Sequence, residues 1–311
     1  MHPAFSVIFF TVMSGMGYGL AFFLGLALVD PDTLAGKAAH VTALVMIALG
    51  LVSSTFHLGN PQRAWRAFSQ WRSSWLSREG VMAIVTFVPL TLNAALAVFF
   101  GTQNVWLGLA GSVCAVATVY CTAMIYASLR TVDAWHTWKT PACYIAFAFA
   151  GGALWTLVFT LLSGRGEPFL PGLLALLGIA VAWACKANWL ASMRAHVSAS
   201  TPETATGLGH LGAVRLLERP HATENYLTRE MGFKIARKHA EKLRGISVLL
   251  SFVVPALCVA LAFPGLLIQG ASPWLALLAG AAVLSHAAGM FVERWLFFAE
   301  ARHAITNYYE A

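Results

Sequence analysis

The sequence predicts an all-α protein built of eight transmembrane helices, and three observations carry that prediction. Of its 311 residues, 59% are hydrophobic and 11% charged, where soluble domains carry about 25% charged residues. The charges are missing from long runs and crowded into a few short ones. The basic residues also fall almost entirely on one side of the spans that these runs define.

A window of about 19 residues predicts helices over 5–28, 40–59, 81–101, 105–129, 142–164, 169–190, 246–269 and 274–304. Each is long enough to cross a hydrocarbon layer of ~30 Å at ~1.5 Å per residue. The first starts at once, lacks a basic leader and is too long for a signal-peptide core, so it is expected to stay in the mature protein. The second ends at "HLGNP", where Gly59 suits a helix C-terminus and Pro61 halts the helix. Ser77 offers an N-cap for the third. "SGMGYG" in the first and "GLAGS" in the fourth supply small residues for close helix approach. Pro89, Pro255 and Pro264 fall inside spans, and the eighth leaves the membrane as a polar tail. The whole, residues 1–311, reads as one integral-membrane domain, arranged as two four-helix bundles without a convincing internal repeat.

An even number of spans puts both termini on one side, here side A. Of the 20 Lys and Arg residues, only Lys37 and Arg165 fall on side B. Long loops are weak guides to orientation, yet the short ones alone set Arg63, Arg66, Arg72, Arg78, Arg130 and Lys139 against those two. Side A is therefore expected to be cytoplasmic. It also holds the segment 186–244, whose core, 191–244, is the longest polar stretch. Residues 198–212 are rich in Ser, Thr and Gly and read as loop. Residues 223–244 show helical spacing after Thr223, a possible N-cap. A loop this long suggests a docking surface for a cytoplasmic partner. The competing reading is an amphipathic helix resting on anionic headgroups. Nucleic acid is not an expected partner.

Residues 53–80 join the second and third spans and contain four arginines, Trp65, Trp71, Trp75, His57 and Glu79. The tryptophans suit the membrane–water interface. His57 and Glu79 end and begin neighbouring spans, so they can face each other at similar depth. A titratable histidine and carboxylate beside apolar walls are what a quinone site requires, because two protons accompany two electrons at the ring oxygens. The plainer alternative is that His57 and Glu79 merely complement the helix dipoles. Tyr126, Arg130, Asp133, Trp135, His136 and Trp138 gather at the end of the fourth span, and His286, Glu293 and Arg294 lie in the eighth. Intramembrane ionisable residues are functional candidates, although Glu293 and Arg294 also suit a pin between helices. The five cysteines form no CxxC pair, so neither an iron–sulfur cluster nor a zinc site is expected here, nor a disulfide. Haem is not expected either, since only His286 lies well inside a span and no facing histidine matches it.

At "FHLGNPQRAW" and "LSREG", followed in order by "IYASLRTVDAWHTWKTP" and "ERWLFF", the chain resembles the membrane-anchor subunits of the dimethyl sulfoxide reductase family. The resemblance implies an eight-helix anchor that binds quinone (ubiquinone or menaquinone). It also implies electron exchange with a four-cluster iron–sulfur subunit and a molybdopterin catalytic subunit. It assigns the quinone site to His57 and Glu79, with Arg66, Tyr126 and Arg130 beside them. The expected location is the bacterial inner membrane, multi-pass, with both termini cytoplasmic. Dimethyl sulfoxide reductases of this type turn the quinone-site face outward, whereas here that face carries the basic residues. The segment with "ENYLTREMGF" is like the anchors of cytoplasmic sulfite-oxidising molybdoenzymes, which favours an anchor passing electrons from sulfite to quinone. The alternatives are a reductase anchor that oxidises quinol, or a transporter or purely structural anchor. The partner's substrate is not encoded in this sequence.

Overall fold

The computed structural model describes residues 4–56, 58–195, 198, 200–218, 223, 235–268 and 272–308. Eight helices in it are long and apolar enough to cross a membrane, and no strand occurs among the described residues. The spans are α1 (Phe5–Gly25), α2 (Leu34–Thr55), α3 (Trp75–Phe100), α4 (Val105–Ala127), α5 (Lys139–Ser163) and α6 (Phe169–Ala195). The seventh consists of α7 (Ile235–Val248) and α8 (Val254–Leu267), joined through a π turn over Leu249–Val253, and the eighth is α9 (Pro273–Ala299).

The helix ends differ from the hydropathy reading wherever a local oxygen decides them. Helix α2 starts at Leu34, because the Thr33 hydroxyl accepts the Gly36 N–H at 3.0 Å. Helix α3 starts at Trp75, because Ser74 and not Ser77 is its cap. Ser77 lies inside the helix and donates its hydroxyl to the Ala67 carbonyl. The C-cap of α2 is Phe56, so the helix ends before His57, a position outside the described residues. The helix expected over 223–244 is described only from Ile235, and from there it runs into the seventh span.

Helices α1 to α4 pack in a closed ring, each against the next and α4 back on α1. Helices α5, α6, the seventh span and α9 repeat that ring. The two rings meet chiefly along α1 and α5, which have 72% and 78% of their central windows buried, against 50% or less for every other span. Their backbones touch there. A Cβ on Gly19 would stand 1.8 Å from the Ala148 carbonyl oxygen, so only glycine fits the seam. The outer helices instead turn apolar rows outward, such as Val41, Val45, Leu49 and Val52 of α2. The spacing of three and four residues makes that row a lipid-facing stripe.

Pro255 explains the π turn. It lacks an N–H, so the Ser251 carbonyl four residues earlier loses the donor it would have in an α-helix. The His286 Nδ1–H meets that carbonyl at 2.7 Å, and the Ser285 hydroxyl reaches the Leu250 carbonyl at 2.8 Å. The deep histidine of the eighth span thus serves the backbone of the seventh.

Candidate functional site

The arginine- and tryptophan-rich connection folds as a 3₁₀ helix over Pro61–Gln70 lying against the start of α3. Phe68 sits over Gly80, where an added Cβ would come within 3.0 Å of its ring. Arg78 reaches back to the Trp71 and Arg72 carbonyls at 3.0 and 2.7 Å, with its guanidinium over the Trp75 ring. Trp65 and Trp71 stay exposed, each beneath the arginine that follows it in sequence. Cationic heads over indole rings suit the headgroup layer.

That segment positions Glu79 about one turn inside α3, where its side chain is buried. The Thr122 hydroxyl of α4 donates to its carboxylate. Glu79, Thr86 and Asn93 recur every seven residues on α3, and all three are buried, so α3 turns one polar face into the first ring. Thr86 and Thr118 share a hydrogen bond of 2.8 Å on that face. No ion pair to Glu79 occurs among the described residues.

The predicted site residues separate into two groups. Tyr126 is buried four residues beyond Thr122, on the same face of α4, with its ring 5.8 Å from that of Tyr144 and 5.3 Å from that of Trp135. Arg66 and Arg130 are exposed on side A. Of the other candidates at the end of α4, Trp135 donates to the Phe297 carbonyl at 3.0 Å and His136 pairs with the Ala127 carbonyl at 2.7 Å, so both tie the fold together. Among the described residues no three His, Cys, Asp or Glu side chains gather as metal ligands.

A second buried cluster lies in the other ring. Glu293 is 2.6 Å from the Lys186 ammonium and bonded to Arg294, with all three side chains nearly inaccessible. The Arg294 guanidinium packs over the Tyr144 and Phe297 rings at 4.4 and 4.7 Å. Hydropathy ends the sixth span at residue 190, with Lys186 inside it, although the polar side-A segment is counted from that lysine. It lies within α6, which continues to Ala195, and its ammonium meets a buried carboxylate. An isolated lysine in "WACKANW" is the available signal, since a cation inside an apolar run needs a partner.

Between the two clusters is a cavity of about 20 Å³, lined by Tyr18, Thr122, Tyr144 and Arg294 among others. That is room for about one water. The Tyr18 and Tyr144 hydroxyls are buried and meet no partner in hydrogen-bond geometry among the described residues. A larger pocket of about 350 Å³ opens at the side-A end of the second ring, lined by Asp133, Trp189, Arg194, Arg244, Glu300 and Arg302 among others.

A family model described as "DMSO reductase anchor subunit (DmsC)" matches residues 1–299. The protein belongs to that family. The anchor is similar over its full length to a subunit of the sulfite dehydrogenase of Allochromatium vinosum, at 31% identity covering 100% of this sequence and 99% of the relative. It is also similar to a subunit of the anaerobic dimethyl sulfoxide reductase of Escherichia coli K12, at 29% identity over 51% of this sequence and 58% of that one. No solved structure matches it.

Proposed function

We propose that this anchor passes electrons from a sulfite-oxidising molybdopterin subunit, through an iron–sulfur subunit, to ubiquinone or menaquinone. The observation that carries this reading is the end-to-end similarity to a sulfite dehydrogenase subunit. The partial similarity to a dimethyl sulfoxide reductase subunit supports a second reading, in which the same site oxidises quinol. The fit of a quinone rests on Glu79, a buried carboxylate near the side-A boundary, reached past an interfacial belt of Trp65, Trp71 and Trp75. Quinone reduction takes up two protons with its two electrons, so a group able to hold and release a proton must stand at the ring oxygens. His57 and Glu79 are assigned that role, with Tyr126 as a wall of the site and Arg66 and Arg130 at its mouth. Residues 63–78 and 223–244 form the proposed docking surface for the iron–sulfur subunit.

Replacing His57 by Ala or Glu79 by Gln is expected to lower quinone-coupled turnover by about 100-fold. Turnover with a soluble artificial acceptor should persist in membranes that hold every subunit at its normal level. Retained quinone reduction in His57→Ala would end this assignment. In the proposed orientation side A faces the cytoplasm of an inner membrane, so a cysteine at Ser200 should label only after the membrane is permeabilised and one at Gln103 without it. Labelling of Ser200 from outside would reverse the orientation and favour the quinol-oxidising reading.

A further inference from the structure

Among the described residues, the buried charges of the second ring do not cancel. Lys186 and Arg294 contribute two positive charges and Glu293 one negative, leaving a surplus of one cation inside the membrane-spanning part. An uncompensated buried charge is costly, so it calls for a counter-charge nearby. Among the described residues, Glu79 is the buried carboxylate of the other ring. Its partner Thr122 and the surplus-bearing Arg294 line the same one-water cavity, together with the two tyrosine hydroxyls.

We infer that the Lys186–Glu293–Arg294 cluster is the electrostatic counterpart of Glu79, acting across a water held by Tyr18 and Tyr144 between the two rings. With Glu79 ionised, the four charges sum to zero. When Glu79 takes up a proton, the surplus cation returns. The cluster therefore sets how readily Glu79 releases its proton, while touching neither quinone nor the partner subunits. The groups within electrostatic reach of Glu79 are Tyr18 of α1, Cys121 and Tyr126 of α4 and Tyr144 of α5, and Tyr126 and Tyr144 are also within reach of Arg294 of α9. Arg294 is the buried cation on the far side of those rings and of the cavity.

The inference deepens the quinone reading, and its test reads Glu79 directly. In the purified complex, the infrared carbonyl band of protonated Glu79, identified as the band lost in Glu79→Gln, is followed against pH. Lys186→Met removes the surplus cation, so Glu79 should keep its proton to higher pH, with the midpoint rising by about one pH unit. Glu293→Gln adds a net positive charge and should move it down by a similar amount. Lys186→Arg keeps the charge and should leave it in place. If Glu293→Gln does not assemble, the Lys186→Met and Lys186→Arg pair decides alone. A midpoint that stays put in Lys186→Met, or moves equally in Lys186→Arg, overturns the inference. So does the absence of a protonated Glu79 band at any pH. The alkaline limb of quinone reduction should follow the midpoint. If Glu79→Gln leaves quinone turnover intact, the quinone site is wrong; if it abolishes turnover while the midpoint is fixed, only the coupling is wrong.

Discussion

The two rings repeat one helix order and place a buried carboxylate in the side-A half of each, yet they treat it oppositely. Glu293 is clamped between two cations. Glu79 has a hydroxyl for company and no ion pair among the described residues. A carboxylate between two cations is fixed in its charged form and serves as a pin between helices. A carboxylate that relies on one hydroxyl can change its charge without tearing the fold apart. The same residue type, on equivalent scaffolds, is structural in one ring and available for proton chemistry in the other.

The comparison presupposes that the rings are pressed together, and the largest effect should come from parting them. Leucine at Gly19 cannot be accommodated, because even its Cβ would overlap the Ala148 carbonyl, and backbone cannot yield as a side chain can. We expect Gly19→Leu to leave no assembled anchor by size-exclusion chromatography. Alanine at Gly15, where a Cβ meets nothing within 4 Å, should assemble normally. The carboxylates themselves come next. Glu293→Gln strands two buried cations and should destabilise the anchor by about 3 kcal/mol. Glu79→Gln keeps an acceptor for Thr122 and should cost less than about 1 kcal/mol. Unfolding in detergent, followed by circular dichroism, measures both. Equal losses would erase the distinction between a structural and an available carboxylate.

The spans are legible in the sequence because hydropathy over twenty residues is a strong signal, and Glu79 is legible because a carboxylate beside an apolar run is rare. What hydropathy and motifs miss has a common cause. Thr122, Tyr144 and Lys186 matter through contacts with Glu79, Arg294 and Glu293, each on another helix, and no pattern along one helix reveals which faces meet. Helix starts move for the opposite reason, since a single hydroxyl at Thr33 or Ser74 outranks the averaged hydropathy of the window. Arg66 and Arg130 are singled out by the family resemblance, and their exposure on side A follows from the 3₁₀ helix and the turn after α4, which hydropathy does not resolve.

The repeated ring order has a consequence for how the polypeptide is built. A four-span unit enters and leaves through the same face, so a second unit appended to it must stand in the same orientation as the first. The two units are then related by rotation about the membrane normal, with α1 and α5 as the paired central members. In topological terms the anchor is two four-span rings in tandem, one holding a clamped carboxylate and the other an unclamped one. The short stretch between α4 and α5 is the splice, and it is the place where the polypeptide could be cut and co-expressed as two pieces that find each other through the Gly19 seam.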